Sequence, residues 1–289
     1  MIAEDVLRFD AAKYKDTTRV QWDAAAAAWN RWGPFLRQWL GEATDLMLDL
    51  AGVQAGSRVL DVAAGAGDQT LMAAARVGPQ GHVHATDISA SILELAAKNA
   101  RDSGYDNVVT QVLDGEELDV PQASFDAVIC RVGLIYFPDQ QRALRGMIRA
   151  LKPGGRIAAI VYSTPEKNAF FSIPVSIIRT RAALAPPLPG QPGPFSLGGT
   201  GALAGAFQKA GFVDVVSRAV DAPLRLPAAD DCVRFEHESF GALHQMLAGL
   251  SASHKAAAWQ EIAVKLRQFE RADGFVGPCE LIVGAGTRP

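Results

Sequence analysis

The chain is poor in cysteine, in charge of one sign and in long apolar runs. Its 289 residues include three cysteines, Cys130, Cys232 and Cys279. None of these pairs at metal-ligand or CxxC spacing, which argues against a zinc site and a dithiol oxidoreductase. Two lie in apolar stretches and read as buried, inert thiols. Lys+Arg number 28 against 31 Asp+Glu, a net charge of −3, without the basic clusters that a nucleic-acid binder sets against phosphates. The start Met1-Ile2-Ala3-Glu4-Asp5 puts acids where a signal peptide carries bases. The most apolar long stretch, Phe170 to Ile178, holds Pro174 and stops at Arg179 and Arg181, well short of the roughly 20 residues of a membrane span. These absences lead to the expectation of a cytoplasmic protein with no membrane span and no nucleic-acid partner. With 49% hydrophobic residues, the chain is too apolar for disorder.

What is present is periodicity. Trp22, Trp29, Trp32, Leu36 and Trp39 recur at helical steps, and Gly33-Pro34 divides the run into two helices. From residue 57 short apolar runs alternate with helical segments. Strands are expected at Arg58–Ala63, His82–Asp87, Asn107–Asp114, Phe125–Val132 and Arg156–Tyr162. Helices are expected at Gln69–Val77, Ser91–Ser103 and Gln140–Leu151, the last ending in the turn Lys152-Pro153-Gly154-Gly155. This alternation means α/β: a doubly wound, Rossmann-like, mostly parallel sheet. Residues 164–200 hold a short helix and a stretch with five prolines in nine residues, Pro186 to Pro194. A helix at Thr200–Ala210 capped by Gly211, a strand near Val213–Val220, helices over 228–272 and a last strand Cys279–Ala285 complete the pattern. The expected organisation is one domain: 1–56 an N-terminal helical lid, 57–163 the cofactor-binding half, 164–205 a substrate cap, and 206–289 the C-terminal strands with a helical insertion at 228–272. The edge strands and the Pro-rich loop leave a homodimer open.

In such a sheet the ligand sits beyond the carboxyl ends of the strands. The first strand ends in Asp61-Val62-Ala63-Ala64-Gly65-Ala66-Gly67-Asp68-Gln69-Thr70. The dinucleotide pattern Gly-x-Gly-x-x-Gly/Ala fails at Thr70, and no Walker Gly-Lys-Ser/Thr is present. The second strand ends at Asp87, a carboxylate able to take both ribose hydroxyls, a feature shared by nicotinamide and S-adenosylmethionine binders. The third ends at Asp114-Gly115, suited to an adenine amino group, and the fourth at Cys130-Arg131-Val132-Gly133.

With these residues the sequence resembles the class I S-adenosylmethionine-dependent methyltransferases, above all the ubiquinone/menaquinone-biosynthesis type. Val59 to Gly67 resembles the first motif, with Ala63 in place of the usual first glycine. Asp87 resembles the second-motif acid and Asp114 the third-strand acid. Phe125-Asp126-Ala127-Val128 and Ala150-Leu151-Lys152-Pro153-Gly154-Gly155-Arg156 resemble the fourth strand and the turn before the fifth. The resemblance covers about residues 55–165 and speaks to cofactor and fold, not substrate. It implies seven strands with an antiparallel last one. It also implies that the backbone at Ala63, Gly65 and Gly67 holds the methionine part of S-adenosyl-L-methionine, with Asp61 orienting its amino group. Asp87 would hold the ribose, Ile88 the adenine face, Asp114 and Gly115 the adenine edge, and Arg131 would lie beside the methionine tail.

Methyl transfer is an in-line displacement that needs alignment and exclusion of water, with a catalytic residue optional. Tyr14, Trp29 and Trp32 are candidates to touch a small acceptor, while Trp22 reads rather as packing surface. Tyr136, just past the fourth strand, and His237, seven residues before His244, are the candidate catalytic groups. A metal at the two histidines is disfavoured by their spacing. The segments outside the core are rich in Phe, Pro, Leu and Ala, so the acceptor is expected to be apolar or aromatic, methylated at C, O or N. Two other classes share the fold: an NAD(P)-dependent oxidoreductase, and a protein that binds S-adenosylmethionine without methylating.

Overall fold

A computed structural model describes residues 9–188 and 191–289. The acidic start Met1–Asp5 and, within the Pro-rich stretch, Pro189 and Gly190 lie outside the described residues.

Helix α1 (Ala11–Arg31) opens at Asp10, whose side chain accepts from Lys13 N at 3.0 Å. It ends at Trp32, and α2 (Gly33–Leu50) starts at once with Pro34 in its first turn, where a missing N–H costs nothing. The break expected at Gly33-Pro34 is therefore real. α2 buries Leu36, Trp39, Leu40, Met47 and Leu48 against the sheet, and Trp39 Nε1 donates to Ala222 O at 2.7 Å.

The α/β core follows as β1 (Arg58–Val62), α3 (Asp68–Val77), β2 (His82–Asp87), α4 (Ala90–Asp102), β3 (Val108–Val112), β4 (Phe125–Arg131), α5 (Gln140–Ala150) and β5 (Leu151–Tyr162). After it come α6 (Ala169–Arg181), α7 (Ala202–Ala210), β6 (Val213–Asp221), β7 (Leu224–Leu226), α8 (Ala229–Ser239), α9 (Gly241–Met246), α10 (Ala252–Leu266), β8 (Glu270–Arg271), β9 (Gly274–Gly277) and β10 (Glu280–Thr287). The seven-stranded sheet runs β3-β2-β1-β4-β5-β10-β6, with β10 antiparallel to both β5 and β6. The doubly wound sheet and its antiparallel closing strand are as expected. β1 and β4 are buried almost throughout because helices cover both faces, whereas β3 is a half-exposed edge. All three cysteines are buried and free.

Two local readings are corrected. The turn at Lys152–Gly155 does not precede β5 but lies inside it. Phe125 pairs with Leu151 and Ala127 with Arg156, so these residues bulge out between two pairs, with Gly154 at φ +78°. The insertion at 228–272 is not purely helical either. Glu270–Arg271 forms β8, which pairs with β9 in a second sheet ordered β7-β9-β8. A two-residue strand is too short to leave a period in the sequence.

Candidate active site

The carboxyl ends of β1 to β4 open into a cavity roofed by α1. After β1 the chain turns through Ala63 (φ +59°), Gly65 (φ +58°) and Gly67 (φ +89°). Ala63 and Gly65 border the cavity; Gly67 does not. A β-carbon on Gly67 would sit 3.0 Å from Ala96 Cβ, so this glycine lets α4 pack close to the turn.

Gly65 N donates to Asp87 Oδ2 at 3.0 Å, and Ser89 N donates to Asp87 Oδ1 at 3.0 Å. Two backbone donors thus fix the Asp87 carboxylate at the cavity wall, and each oxygen keeps a lone pair for a ligand. Burial pushes its pKa up, against the pull of those N–H groups. Ile88 borders the cavity beside it.

Asp61 is fully buried and does not border the cavity. It accepts from Thr70 Oγ1 at 2.6 Å and from Gln69 Nε2 at 3.3 Å. Gln69 is the residue at the wall. Burial raises the Asp61 pKa to about 7, with the Asp87 charge adding to the rise; its two hydrogen bonds and Arg131 oppose it.

Asp114 and Gly115 border the opposite end. Lys15 Nζ, from α1, lies 2.6 Å from Asp114 Oδ2 and 2.9 Å from Glu116 Oε2. A β-carbon on Gly115 would come within 2.5 Å of the Phe137 ring, so the position is closed to other residues. Arg131, its side chain 4% exposed, ion-pairs with Asp68 at 2.7 Å and donates to Thr44 Oγ1 at 3.0 Å. Arg37 also holds Asp68, at 3.0 Å. Two guanidinium groups to one carboxylate leave a net positive charge at this end.

The remaining wall is aromatic. Trp22, Trp29, Tyr136, Tyr162 and Phe240 border it. Trp22 stands edge-on to Trp29 (5.4 Å) and to Tyr136 (5.8 Å). Besides Asp61 and Gly67, three of the acceptor and catalytic candidates do not border the cavity. Tyr14 packs edge-on to Phe9, 5.4 Å away. Trp32 donates to Glu238 Oε2 at 2.9 Å and packs on Phe235. His237 meets His244, ring to ring at 4.6 Å, and Trp259 of α10 at 4.9 Å. The two histidines do not share a helix, because Phe240 separates α8 from α9. The roles given to Trp22 and Trp32 are thus exchanged: Trp22 borders the cavity and Trp32 packs. Lys15, Thr18, Tyr162 and Phe240 also border the cavity, without a motif that marks them individually. Lys15, Thr18, Trp22 and Trp29 step by three, four and seven, a spacing that marks one helix face. Among the described residues no group of three His, Cys, Asp or Glu is placed to hold a metal, and no described helix is long and apolar enough to cross a membrane.

Residues 37–175 match the ubiE/COQ5 methyltransferase family. The ubiquinone/menaquinone biosynthesis C-methyltransferase UbiE of Pseudomonas aeruginosa is 40% identical over 122 residues, 42% of this chain and 48% of that protein. The chain spans about half the length of the curated relatives it matches. Phosphoethanolamine N-methyltransferase 2 of Haemonchus contortus superposes with a TM-score of 0.58 at 18% identity, over 98% of this chain and 61% of that one. The [4+2]-cyclase SpnF superposes with a TM-score of 0.54 at 19% identity, over 92% and 96%. These two likenesses speak to the fold. The family match takes in the residues at the ends of β1 to β4, Ala63, Gly65, Asp87, Asp114 and Arg131.

Proposed function

We propose that this protein transfers a methyl group from S-adenosylmethionine to a small acceptor with an apolar or aromatic body. The observation that carries the reading is one cavity with two characters: charged and glycine-lined along the ends of β1 to β4, aromatic beneath α1 and α8. The charged part fits the cofactor. Asp87, steadied by Gly65 N and Ser89 N, has lone pairs left for two vicinal hydroxyls. The net positive charge of Arg131, Arg37 and Asp68 suits a carboxylate tail. The bare α-carbon of Gly65, whose β-carbon would stand 3.4 Å from Trp29 Nε1, leaves a slot between turn and roof.

The bound cofactor would supply a methyl group already activated on a sulfonium centre. The protein's own share is then binding, alignment and dryness. Ile88, Asp114 and Gly115 would frame the adenine. Asp61 acts from behind, holding Gln69 and Thr70 and lending negative charge to the amino-acid end. Trp22, Trp29, Phe240 and Tyr162 exclude water and offer ring faces to a flat acceptor. Tyr136, partly buried beside Trp22, keeps its proton because burial drives its pKa up, so it serves as a hydrogen-bond donor toward the acceptor. The three unpaired buried thiols fit a reducing compartment such as the cytoplasm. A nicotinamide reading is disfavoured by Thr70, which stands where the third glycine of that fingerprint belongs.

Calorimetry with S-adenosylmethionine, S-adenosylhomocysteine and NADH tests the cofactor. A panel of phenols, quinols, amines and thiols, read by S-adenosylhomocysteine release, tests the acceptor. Binding of NADH without S-adenosylmethionine would overturn the reading, and cofactor binding with no turnover across a broad panel would favour a non-methylating protein.

A further inference from the structure

We propose that Tyr162 determines which acceptors this protein takes: its hydroxyl and that of Tyr136 form a pair of donors that grips a carbonyl oxygen of the acceptor. The methyl-transfer reading supplies the purpose of the grip; the pair itself rests on geometry.

The fold brings the two phenols to one place. β4 and β5 are parallel neighbours, and Val132 N donates to Ile160 O at 2.8 Å just past the end of β4. Tyr162 is the last residue of β5, and Tyr136 closes the short helical turn Leu134–Tyr136 that follows β4. Gly193 N donates to Ile135 O at 2.9 Å and holds that turn from the Pro-rich segment. The Tyr162 ring packs on Phe170 and Phe171, each 5.9 Å away. Both tyrosines border the cavity, and Tyr136 lies within electrostatic reach of Tyr162.

A buried tyrosine hydroxyl ordinarily finds a partner, because leaving it without one costs free energy. Tyr162 is only 2% exposed, yet among the described residues neither its hydroxyl nor that of Tyr136 has a hydrogen bond. Nor is either oxygen sealed in the packing, as Glu236 Oε2 and Ser239 Oγ are. Two uncommitted O–H groups therefore open on one aromatic wall. Burial drives both pKa values up, so both groups keep their protons and remain donors. A carbonyl oxygen has two lone pairs and can accept from both. The nearby charges favour the same guest. Arg131 is within reach of Tyr162 and opposes an ammonium. Glu236, one turn before Phe240, is held toward its neutral form by burial and gives an ammonium no counter-ion. A guest without an oxygen at this point leaves both donors unpaired, which discriminates more strongly than apolar fit does.

The probes are α-tetralone and tetralin, one bicyclic body with and without a carbonyl. In the presence of S-adenosylhomocysteine, calorimetry should find tetralone bound at least about tenfold more tightly than tetralin. Tyr162→Phe and Tyr136→Phe should each weaken tetralone by about fivefold and leave tetralin unchanged. Neither variant should melt below wild type, since the lost hydroxyl has no partner in the protein. The C=O stretch of bound tetralone, read by infrared difference spectroscopy, should lie lowest in wild type, higher in each single variant and highest in the double variant. Equal affinity for the two probes, or no binding of tetralone, overturns the pair. So does a stretch that Tyr162→Phe leaves in place. A protein that holds tetralone by both phenols but neither binds nor releases S-adenosylhomocysteine would sink the methyl-transfer reading and leave the pair standing.

Discussion

The β-carbon of Ala63 points into the space that Gly133 leaves empty: a β-carbon built on Gly133 would fall within 3.0 Å of it, and 3.2 Å from Cys130 Sγ. Ala63, at the position where the resembled motif has its first glycine, holds φ +59°. Its extra methyl is accommodated across the β1–β4 edge by a glycine after β4, so the cofactor turn keeps its path.

That pairing predicts non-additivity. Gly133→Ala overpacks the edge and should cost about 1–3 kcal/mol. Ala63→Gly relieves a left-handed alanine but frees the unfolded chain, so its stability should stay within about 1 kcal/mol of wild type. In the double variant the cost of Gly133→Ala should shrink by at least about 1 kcal/mol. Urea unfolding of the four proteins measures the cycle. Equal costs of Gly133→Ala in both backgrounds would show that the two residues do not compensate.

Asp87 gives a binding prediction. Asp87→Ala strips the partner from Gly65 N and Ser89 N and removes the ribose acceptor. Charge-assisted hydrogen bonds contribute about 1.5–3 kcal/mol each, so S-adenosylmethionine affinity should fall by at least about tenfold with the fold retained. Asp87→Asn, with one acceptor oxygen left, should fall between. Calorimetry together with a melting curve separates affinity from unfolding, and wild-type affinity in Asp87→Ala would refute the role.

The distribution of what could be read beforehand has a physical cause. The strands β1 and β4 announce themselves because a parallel sheet covered on both faces favours short, mostly apolar runs ended by turn residues. Asp87, Asp114 and Arg131 follow from strand order alone, since the ends of neighbouring parallel strands meet at one edge. Asp61 lies at that edge too, yet only the packed structure shows Gln69 and Thr70 holding its carboxylate. Trp22 and Trp32 are alike in a stripe of apolar spacing, because the face that α1 turns inward depends on partners remote in sequence: Ala66 and Ile92 beneath Ala26, Ser89 bonded to Asp23, and Asn99 bonded to Asn30. His237 and His244 have the spacing of one helix face, but the break at Phe240 puts them on two helices that meet under Trp259.

Asp61 makes the protein sensitive to pH. Its carboxyl is ordinarily near 3.8 and stands at about 7 in the fold. A pKa raised by folding means that the folded state holds the proton more tightly, so this contribution is complete below about 3.8 and is lost as pH rises through 7. Unfolding free energy measured between pH 5 and 8 should therefore decline less steeply in Asp61→Asn than in wild type. A cationic cofactor favours the ionised form, so binding near pH 6.5 should release protons. Calorimetry in two buffers of different ionisation enthalpy detects that release, and identical heats in both would refute it.

Glu236 is a buried carboxyl with an unpartnered oxygen. It is fully buried on α8, with Cys232 Sγ 4.0 Å from Oε1 and no partner for Oε2. Burial holds its pKa well above 4.5, so its contribution, like that of Asp61, is lost as pH rises from 4.5 through the folded value. Glu236→Leu removes the unsatisfied polar atoms and should stabilise the fold by about 1–3 kcal/mol, most visibly above neutral pH. A lower melting temperature across the whole pH range would mean that the carboxyl has a partner the structure does not show.

His237 should prove dispensable for the chemistry. Its ring lies in the α8–α9–α10 cluster with His244 and Trp259, outside the cavity wall, and burial together with the neighbouring His244 lowers its pKa, so it is uncharged at neutral pH. Losing its contact with Trp259 should cost about 0.5–1.5 kcal/mol, without reaching the cofactor edge. His237→Ala should therefore keep wild-type S-adenosylmethionine affinity and wild-type S-adenosylhomocysteine release with any acceptor found active. Tyr136→Phe, at the wall, should slow that release by about tenfold or more at unchanged cofactor affinity. A hundredfold slower His237→Ala with intact affinity would return the histidine to the reaction and require α8 to turn inward when the acceptor binds.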